Sequence, residues 1–220
     1  WAGHEAVNTP NLDKLAAGGT AFNNAYTNSP ICVPARASFA TGRYVHDCGY
    51  WDNAIAYNGE VPSWGHRLIE QGHRSTSIGK LHYRDTNDPN GFDEEIIPLH
   101  ILDGVGDLLG LIREDMPERK GSSGFAADLG PGESTYTEYD RNIAAEAVRW
   151  INEEAPKHTE KPWVLFVSFV CPHYPLIAPP EYYEMYPEAD VPMPLFYTEE
   201  KRPTHEYYKK MHACINYDKF

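Results

Sequence analysis

Cysteine is scarce in this chain: four residues in 220, at positions 32, 48, 171 and 214. None falls at the C-x-x-C spacing of a zinc site, and so low a density in so long a chain excludes a disulfide-built scaffold. Redox compartment stays open on that count. Long apolar runs are lacking as well. No stretch reaches the roughly 18 residues of a membrane-spanning helix, so no membrane span is expected. Positive charge is in deficit: 19 Lys and Arg against 32 Asp and Glu leave a net charge of −13. That balance argues against nucleic acid or an anionic membrane as the main partner. It leaves room for a small anion, because a few local Arg, Lys and His reverse the field inside a cleft. There is no internal repeat.

What is present fits a globular domain. An apolar content of 41% with 23% charged residues is ordinary for a packed core, and the length suits one sizeable α/β domain or part of a larger one. The opening "WAGHEAVNTP" does not read as a natural start, and "MHACINYDKF" stops inside a helical pattern. A piece of a longer protein is therefore expected, and the lack of a signal peptide carries no weight. Bacterial cytoplasm and periplasm both stay open.

Thr9 and Pro10 open a first helix with Leu12, Leu15 and Ala16 on its inward face, and Gly18-Gly19 closes it. Pro34 opens a second, closed by Gly42. A third runs from Pro62 to Gln71 with Trp64, Leu68 and Ile69 inward and Gly72 as its stop. Ser75 to Ile78 reads as a short strand leading into "GKLH". Residues 85–135 are rich in Gly, Pro, Asp and Glu and read as an excursion around an apolar island, Leu99 to Ile112. Within it, Asp93-Glu94-Glu95 reads as a solvated turn. From Glu138 to Glu154 the pattern is helical, with Thr135 and Glu138 in a capping-box spacing and a stripe of Ile143, Ala147, Val148 and Ile151. Trp163 to Val170, "WVLFVSFV", is a continuous apolar run of the kind that makes a parallel strand buried on both faces. A Tyr/Pro-rich excursion follows, and a last helix starts near Thr204. Helices alternating with strands predict an α/β fold: a mostly parallel central sheet flanked by helices. In such sheets the reactive groups gather beyond the carboxyl ends of the strands. "GKLH" and "CPH" both stand there, and so are expected to share one cleft.

The chemistry gathers in "ICVPARASFATG", Ile31 to Gly42. A helix that starts here turns free amides and the positive end of its dipole toward Cys32, a setting that draws anions. Arg36, in the first turn, adds a forked cation. A thiolate nucleophile is one reading of such a cysteine; a structural cysteine beside a surface-paired arginine is the plain one. Lys80, His82 and His173 have equally plain readings, as a solvated loop lysine and satisfied histidines. Cys171 reads as core, and Asn53 in "GYWDN" as a turn residue that also stands where substrate contact is conceivable.

The pattern Cys32-Val33-Pro34-Ala35-Arg36, followed by "ASFATGRY", resembles the signature of type I sulfatases. "NTPNLDKLAAGGTAFNNAYTNSP" before it, "GKLH", and "SFVCPHYPLIAPPEYYEMY" resemble further segments of the same family. Three motifs in this order make the resemblance specific. It implies an alkaline-phosphatase/sulfatase-like α/β fold, with residues 1–220 as the N-terminal portion of the catalytic domain, lacking its first strand and its C-terminal part. It implies hydrolysis of sulfate esters by formylglycine, made from Cys32 by a formylglycine-generating enzyme, with a divalent cation that is calcium or else Mg or Mn. On this resemblance Cys32 is nucleophile and metal ligand, and Arg36 steadies it. Lys80 binds sulfate, His82 orients the nucleophile, and His173 contacts sulfate or protonates the leaving oxygen. Asn53 is expected on the substrate side. The Asp-Asp pair and the Asp-Asn or Asp-His pair that complete the family's metal site do not occur at matching places, so this chain alone is expected to be inactive. The "WDN" and "GKLH" segments lean toward choline-sulfatases and phosphonate monoester hydrolases. A phosphonate monoester or phosphodiester hydrolase, or a non-catalytic anion-binding fragment with an unmodified Cys32, are the alternatives. The substrate is a small-molecule or carbohydrate sulfate ester, read by residues 45–60, 85–135 and 174–203.

Overall fold

The computed structural model describes residues 1–106, 118, 124 and 127–215. In chain order the helices are α1 (Pro10–Ala17), α2 (Cys32–Thr41), α3 (Val45–Cys48), α4 (Trp64–Glu70), α5 (Thr135–Arg149), α6 (Pro180–Tyr183) and α7 (Glu206–Ile215). The strands are β1 (Arg74–Lys80), β2 (Glu94–Leu99), β3 (Leu129–Pro131), β4 (Trp163–Ser168) and β5 (Leu176–Ala178). The chain divides into two units, one of Thr27–Leu111 with Thr135–His173, the other of Trp1–Tyr26, Ile112–Ser134 and Tyr174–Phe220. Among the described residues no helix is long and apolar enough to cross a membrane.

The first unit is built on a parallel sheet in the order β2-β1-β4. Its middle strand is the polar heptapeptide "RSTSIGK", of which all residues but Arg74 are buried. The long apolar run expected to be covered on both faces is instead the flanking strand β4, half-buried along most of its length. The physical reason is size. Ser75, Thr76 and Ser77 are small enough to be closed over by helices on both faces, while bulk and hydrophobicity point to the run with more area to hide.

Side chains alternate across β4. Phe166 joins Ala37, Ala40, Tyr50, Tyr57, Leu81 and Tyr83 on the α2 side, whereas Leu165 and Val167 join Ile78, Ile143, Ala147 and Trp150 on the α5 side. The sheet is thus a middle layer between α2 and α5, the expected α/β architecture. The stripe on α5 differs from the expected one. Ile143 and Ala147 are buried, but Val148 and Ile151 are 59% and 50% exposed. A π-helical turn over Trp150–Glu154 follows α5, and it is Trp150 that fills the core. Trp150 follows Ile143 and Ala147 at the i, i+4, i+7 spacing, so the buried face keeps the regular helical period, and Val148 and Ile151 lie beside it.

Two local features bear on the site. Gly79 has φ of 95°, and a Cβ built there would lie 2.3 Å from the Ser168 carbonyl oxygen and 2.7 Å from Ile143 Cδ1. Only glycine lets β1 pass this close to β4 and α5. On the other side β2 carries a bulge. Ile78 pairs with Ile96 and Lys80 with Leu99, so Ile97 and Pro98 share the space opposite Gly79. The region 85–135 therefore contributes a sheet strand, and Glu94 and Glu95 belong to it rather than to a solvated turn. From residue 107 the expected apolar island lies outside the described residues.

Helix α4 starts at Trp64, two residues after its proline signal. Ser63 accepts from the His66 amide, and the His66 ring accepts from the Ser63 amide, a reciprocal cap. The second unit holds α1, α6, α7 and a parallel pair, β3 with β5. Its α1 has the expected bounds but not the expected burial. Leu12 and Leu15 are 51% and 73% exposed and, with Trp1 and Phe22, line a hollow of about 450 Å³.

Candidate functional site

Helix α2 begins at Cys32, two residues before the proline that signals it. Its N-cap, Ile31, has no side-chain acceptor to offer. Asn53 supplies one from a distant loop: its Oδ1 accepts from the Val33 amide at 2.9 Å. Asn53 therefore holds the start of α2 and stands as a cap, not in the wall of the cavity described next. Gly42, with φ of 65°, ends the helix in the left-handed conformation expected of it.

One turn after Cys32, the half-buried Arg36 reaches the carboxyl ends of two strands. Its Nη1 donates to the Lys80 carbonyl at 2.8 Å and to Ser168 Oγ at 3.2 Å. Burial lowers the pKa of the guanidinium, and the thiol of Cys32 and the phenol of Tyr83 oppose that. Lys80 is only 5% exposed. Burial also lowers its pKa first; Cys32 then counters, Arg36 adds to the lowering, and Asp140 counters again. Cys32, Arg36, Lys80, Ser168 and His173 line one cavity of about 730 Å³, with Phe39, Phe166 and Pro172 among its apolar walls. The end of α2, the ends of β1 and β4 and the turn after β4 thus converge, and a cationic hollow results in a molecule whose net charge is −13.

A model of the sulfatase family matches residues 2–213 of this chain. The chain belongs to the sulfatase family. It is 33% identical over 185 residues to the uncharacterised sulfatase YidJ of Escherichia coli, covering 82% of this chain and 36% of that protein. It is 30% identical over 192 residues to a choline-sulfatase of Rhizobium meliloti, covering 84% and 37%. The chain thus spans a little over a third of the length of these two curated relatives. Among solved structures, a phosphonate monoester hydrolase of Agrobacterium radiobacter has the same fold, with a TM-score of 0.62, 23% identity, and coverage of 87% of this chain and 41% of that one.

In this sulfatase-family chain, four of the five residues expected to act together do line one cavity. His82 is the exception. It follows Lys80 by two residues but adopts φ of 57°, a left-handed backbone uncommon outside glycine. Its Nδ1 is buried with no partner among the described residues. Burial first, then the charges of Lys80 and Arg36, push its pKa down to about 4. The ring is therefore neutral at pH 7. His173 stands on the turn after β4, its amide donating to the Val170 carbonyl at 3.1 Å and its ring edge-on to Tyr136 at 5.7 Å.

Two further residues belong to this region. Ser168 accepts from Arg36, and Asp140 of α5 accepts from the Val170 and Cys171 amides at 2.7 and 2.9 Å. Asp140 had a legible signal: it precedes Ile143 and Ala147 by three and seven residues, so an acid occupies the buried stripe of its helix. Cys171 is exposed and not core. Burial, and then Asp140, push its thiol up to about 11, which leaves it a poor nucleophile.

A calcium ion needs six to eight oxygen ligands. Among the described residues no group of three or more His, Cys, Asp or Glu converges as a metal site. Both oxygens of Asp140 are engaged by backbone amides. The donors described around Cys32 do not by themselves make up a calcium cage, and no step below is routed through a metal.

Proposed function

We propose that this sulfatase-family chain serves the hydrolysis of sulfate esters, with Cys32 converted to formylglycine as the nucleophile. The observation that carries the reading is the convergence of Cys32, Arg36, Lys80 and His173 on one cavity. Hydrated formylglycine supplies a geminal diol, one hydroxyl for attack on sulfur and one whose proton is later removed to expel sulfate. A sulfuryl group in transfer spreads negative charge over its oxygens, and fixed cations placed beside them stabilise that charge. Lys80 is the sulfate-binding cation. Arg36, tied to the Lys80 carbonyl, holds its charge beside position 32. His173 contacts sulfate or delivers a proton to the leaving oxygen. His82, uncharged at pH 7, serves as a neutral hydrogen-bonding partner that orients the nucleophile. A divalent cation, calcium or else magnesium or manganese, completes the proposal; of its ligands only the group at position 32 is assigned here.

The names of the relatives support the substrate class. One is named a choline-sulfatase, another an N-acetylglucosamine-6-O-sulfatase. A small-molecule or carbohydrate sulfate ester is proposed accordingly. The same cations suit any tetrahedral oxyanion, so phosphonate monoester or phosphodiester hydrolysis is the second reading. It draws on the fold shared with the phosphonate monoester hydrolase. Relative rates on paired sulfate and phosphonate esters separate the two.

The modification is tested directly. Co-expressed with a formylglycine-generating enzyme, the peptide bearing residue 32 is expected about 18 Da lighter than its cysteine form, the difference between a thiol with one hydrogen and a carbonyl oxygen. A peptide that keeps the cysteine mass beside a competent modifying enzyme would remove the formylglycine reading. An anion-binding site with an unmodified thiol would then be what stands.

A further inference from the structure

We propose that Asp140 is a positioning residue of this cavity, a carboxylate clamp that sets where His173 stands; the inference rests on the anion-site reading of the same hollow. Four observations carry it. The two carboxylate oxygens are divided between the amides of consecutive residues, Val170 at 2.7 Å and Cys171 at 2.9 Å. Those residues form the turn between Ser168 and His173, both of which line the cavity. Tyr136, one helical turn before Asp140 and so on the same face of α5, meets the His173 ring edge-on at 5.7 Å. Finally, α5 is held against the sheet here, because Gly79 leaves no room between Ile143 and the Ser168 carbonyl.

The charge matters as well as the geometry. A carboxylate taking two amide donors makes charge-assisted hydrogen bonds, stronger and more directional than neutral ones. An asparagine in its place has one acceptor and one donor group. One of the two amides would then face an NH₂ and lose its partner, and the turn would be free to shift. Asp140 also supports the positive charge of the buried Lys80. Within the cavity it acts on groups that meet the anion without meeting the anion itself, since both its oxygens are committed to the backbone.

The test uses the full chain and inorganic sulfate as probe, with His173 ring resonances and exchange of the Val170 and Cys171 amides read by NMR. In Asp140→Asn the His173 resonances are expected displaced without sulfate, the two amides exchange faster, and sulfate affinity falls about tenfold, a loss on the scale of one good charge-assisted contact. Trp150→Phe loosens the core beyond the far end of α5 without touching the clamp; it is expected to lower thermal stability while leaving His173 and sulfate affinity as in the unmutated chain. Unmoved His173 resonances and unchanged amide exchange in Asp140→Asn would overturn the clamp. If the unmutated chain shows no response to sulfate, the anion reading fails, and the clamp is still judged by the resonances and exchange rates. If Asp140→Asn does not fold, Asp140→Glu, with both acceptors on a longer arm, is read the same way.

Discussion

At the scale of single residues, backbone conformation and protonation are the quantities that the site depends on. Gly79 combines a positive φ with two sub-van-der-Waals approaches for any Cβ. Gly79→Ala is therefore expected to cost about 3 kcal/mol or more, from left-handed strain plus overpacking. Urea denaturation measures it, and a loss below about 1 kcal/mol would mean that β1 and β4 separate more easily than their packing implies. His82 gives a pH dependence. Its folded pKa is about 4, below the roughly 6.5 of an unfolded histidine. The unfolded chain thus takes up the proton first as pH falls. Its contribution to stability is whole above about pH 6.5 and is lost on acidification toward pH 4. Between pH 7 and pH 5 this amounts to about 1–2 kcal/mol, reduced to the extent that water reaches the ring. His82→Asn keeps a residue that tolerates the left-handed backbone. Comparing the two proteins' urea midpoints at both pH values should show a flatter profile for the variant; equal profiles would place the proton elsewhere.

At the scale of elements, β1 shows how a polar sequence becomes the middle of a sheet. The hydroxyls of Ser75, Thr76 and Ser77 are buried without partners among the described residues. Thr76→Val removes one such hydroxyl at nearly constant shape and raises strand preference. It is expected to leave stability unchanged or to raise it by about 1 kcal/mol; a clear loss by thermal melting would reveal a hydrogen bond that Thr76 makes in solution. The helices were legible from their signals, namely Pro10, the Pro34–Gly42 span and the apolar stripe of α5. Their burial was not. Leu12 and Leu15 face outward, and after Ile143 and Ala147 it is Trp150, not Val148 or Ile151, that completes the buried face. Signals of capping and breaking act over a few residues, whereas burial depends on what other elements bring to the same place. The strand β2 was hidden for a related reason: Pro98 and the acid pair Glu94-Glu95 look like a loop, yet Glu94 and Glu95 pair in regular register with Thr76 and Ser77, and the bulge opposite Gly79 accommodates Pro98.

At the scale of the whole molecule, the net charge of −13 and a cationic cavity coexist. Long-range attraction of an anion is weak on that balance, so the proposed anion recognition would rest on the fixed cations inside the hollow. The described residues offer no metal cluster. The purified chain of 220 residues is accordingly expected to show no metal-dependent hydrolysis of an aryl sulfate, even with formylglycine at position 32. Turnover that appears on adding calcium and vanishes on chelation would overturn that expectation.

The sequence by itself determined which groups are candidates for the chemistry and the order in which they occur. The run from Cys32 to Arg36, the Lys80–His82 pair and His173 could be named because they match, in order, motifs of the sulfatase family; their places at a helix start or a strand end alone left each with a plain structural reading. An α/β architecture was likewise determined, since the alternation of helical and strand periods is written along the chain. Tertiary structure alone decided how those groups are held. Asn53 caps α2 across 20 residues, Asp140 clamps Val170 across 30, and Arg36 meets Ser168 across 132. It also decided that His82 is not among the residues lining the cavity and that burial pushes its pKa down to about 4. Hydrogen-bond partners and burial are properties of the space between elements, and no local pattern in the chain encodes which distant residue will arrive there.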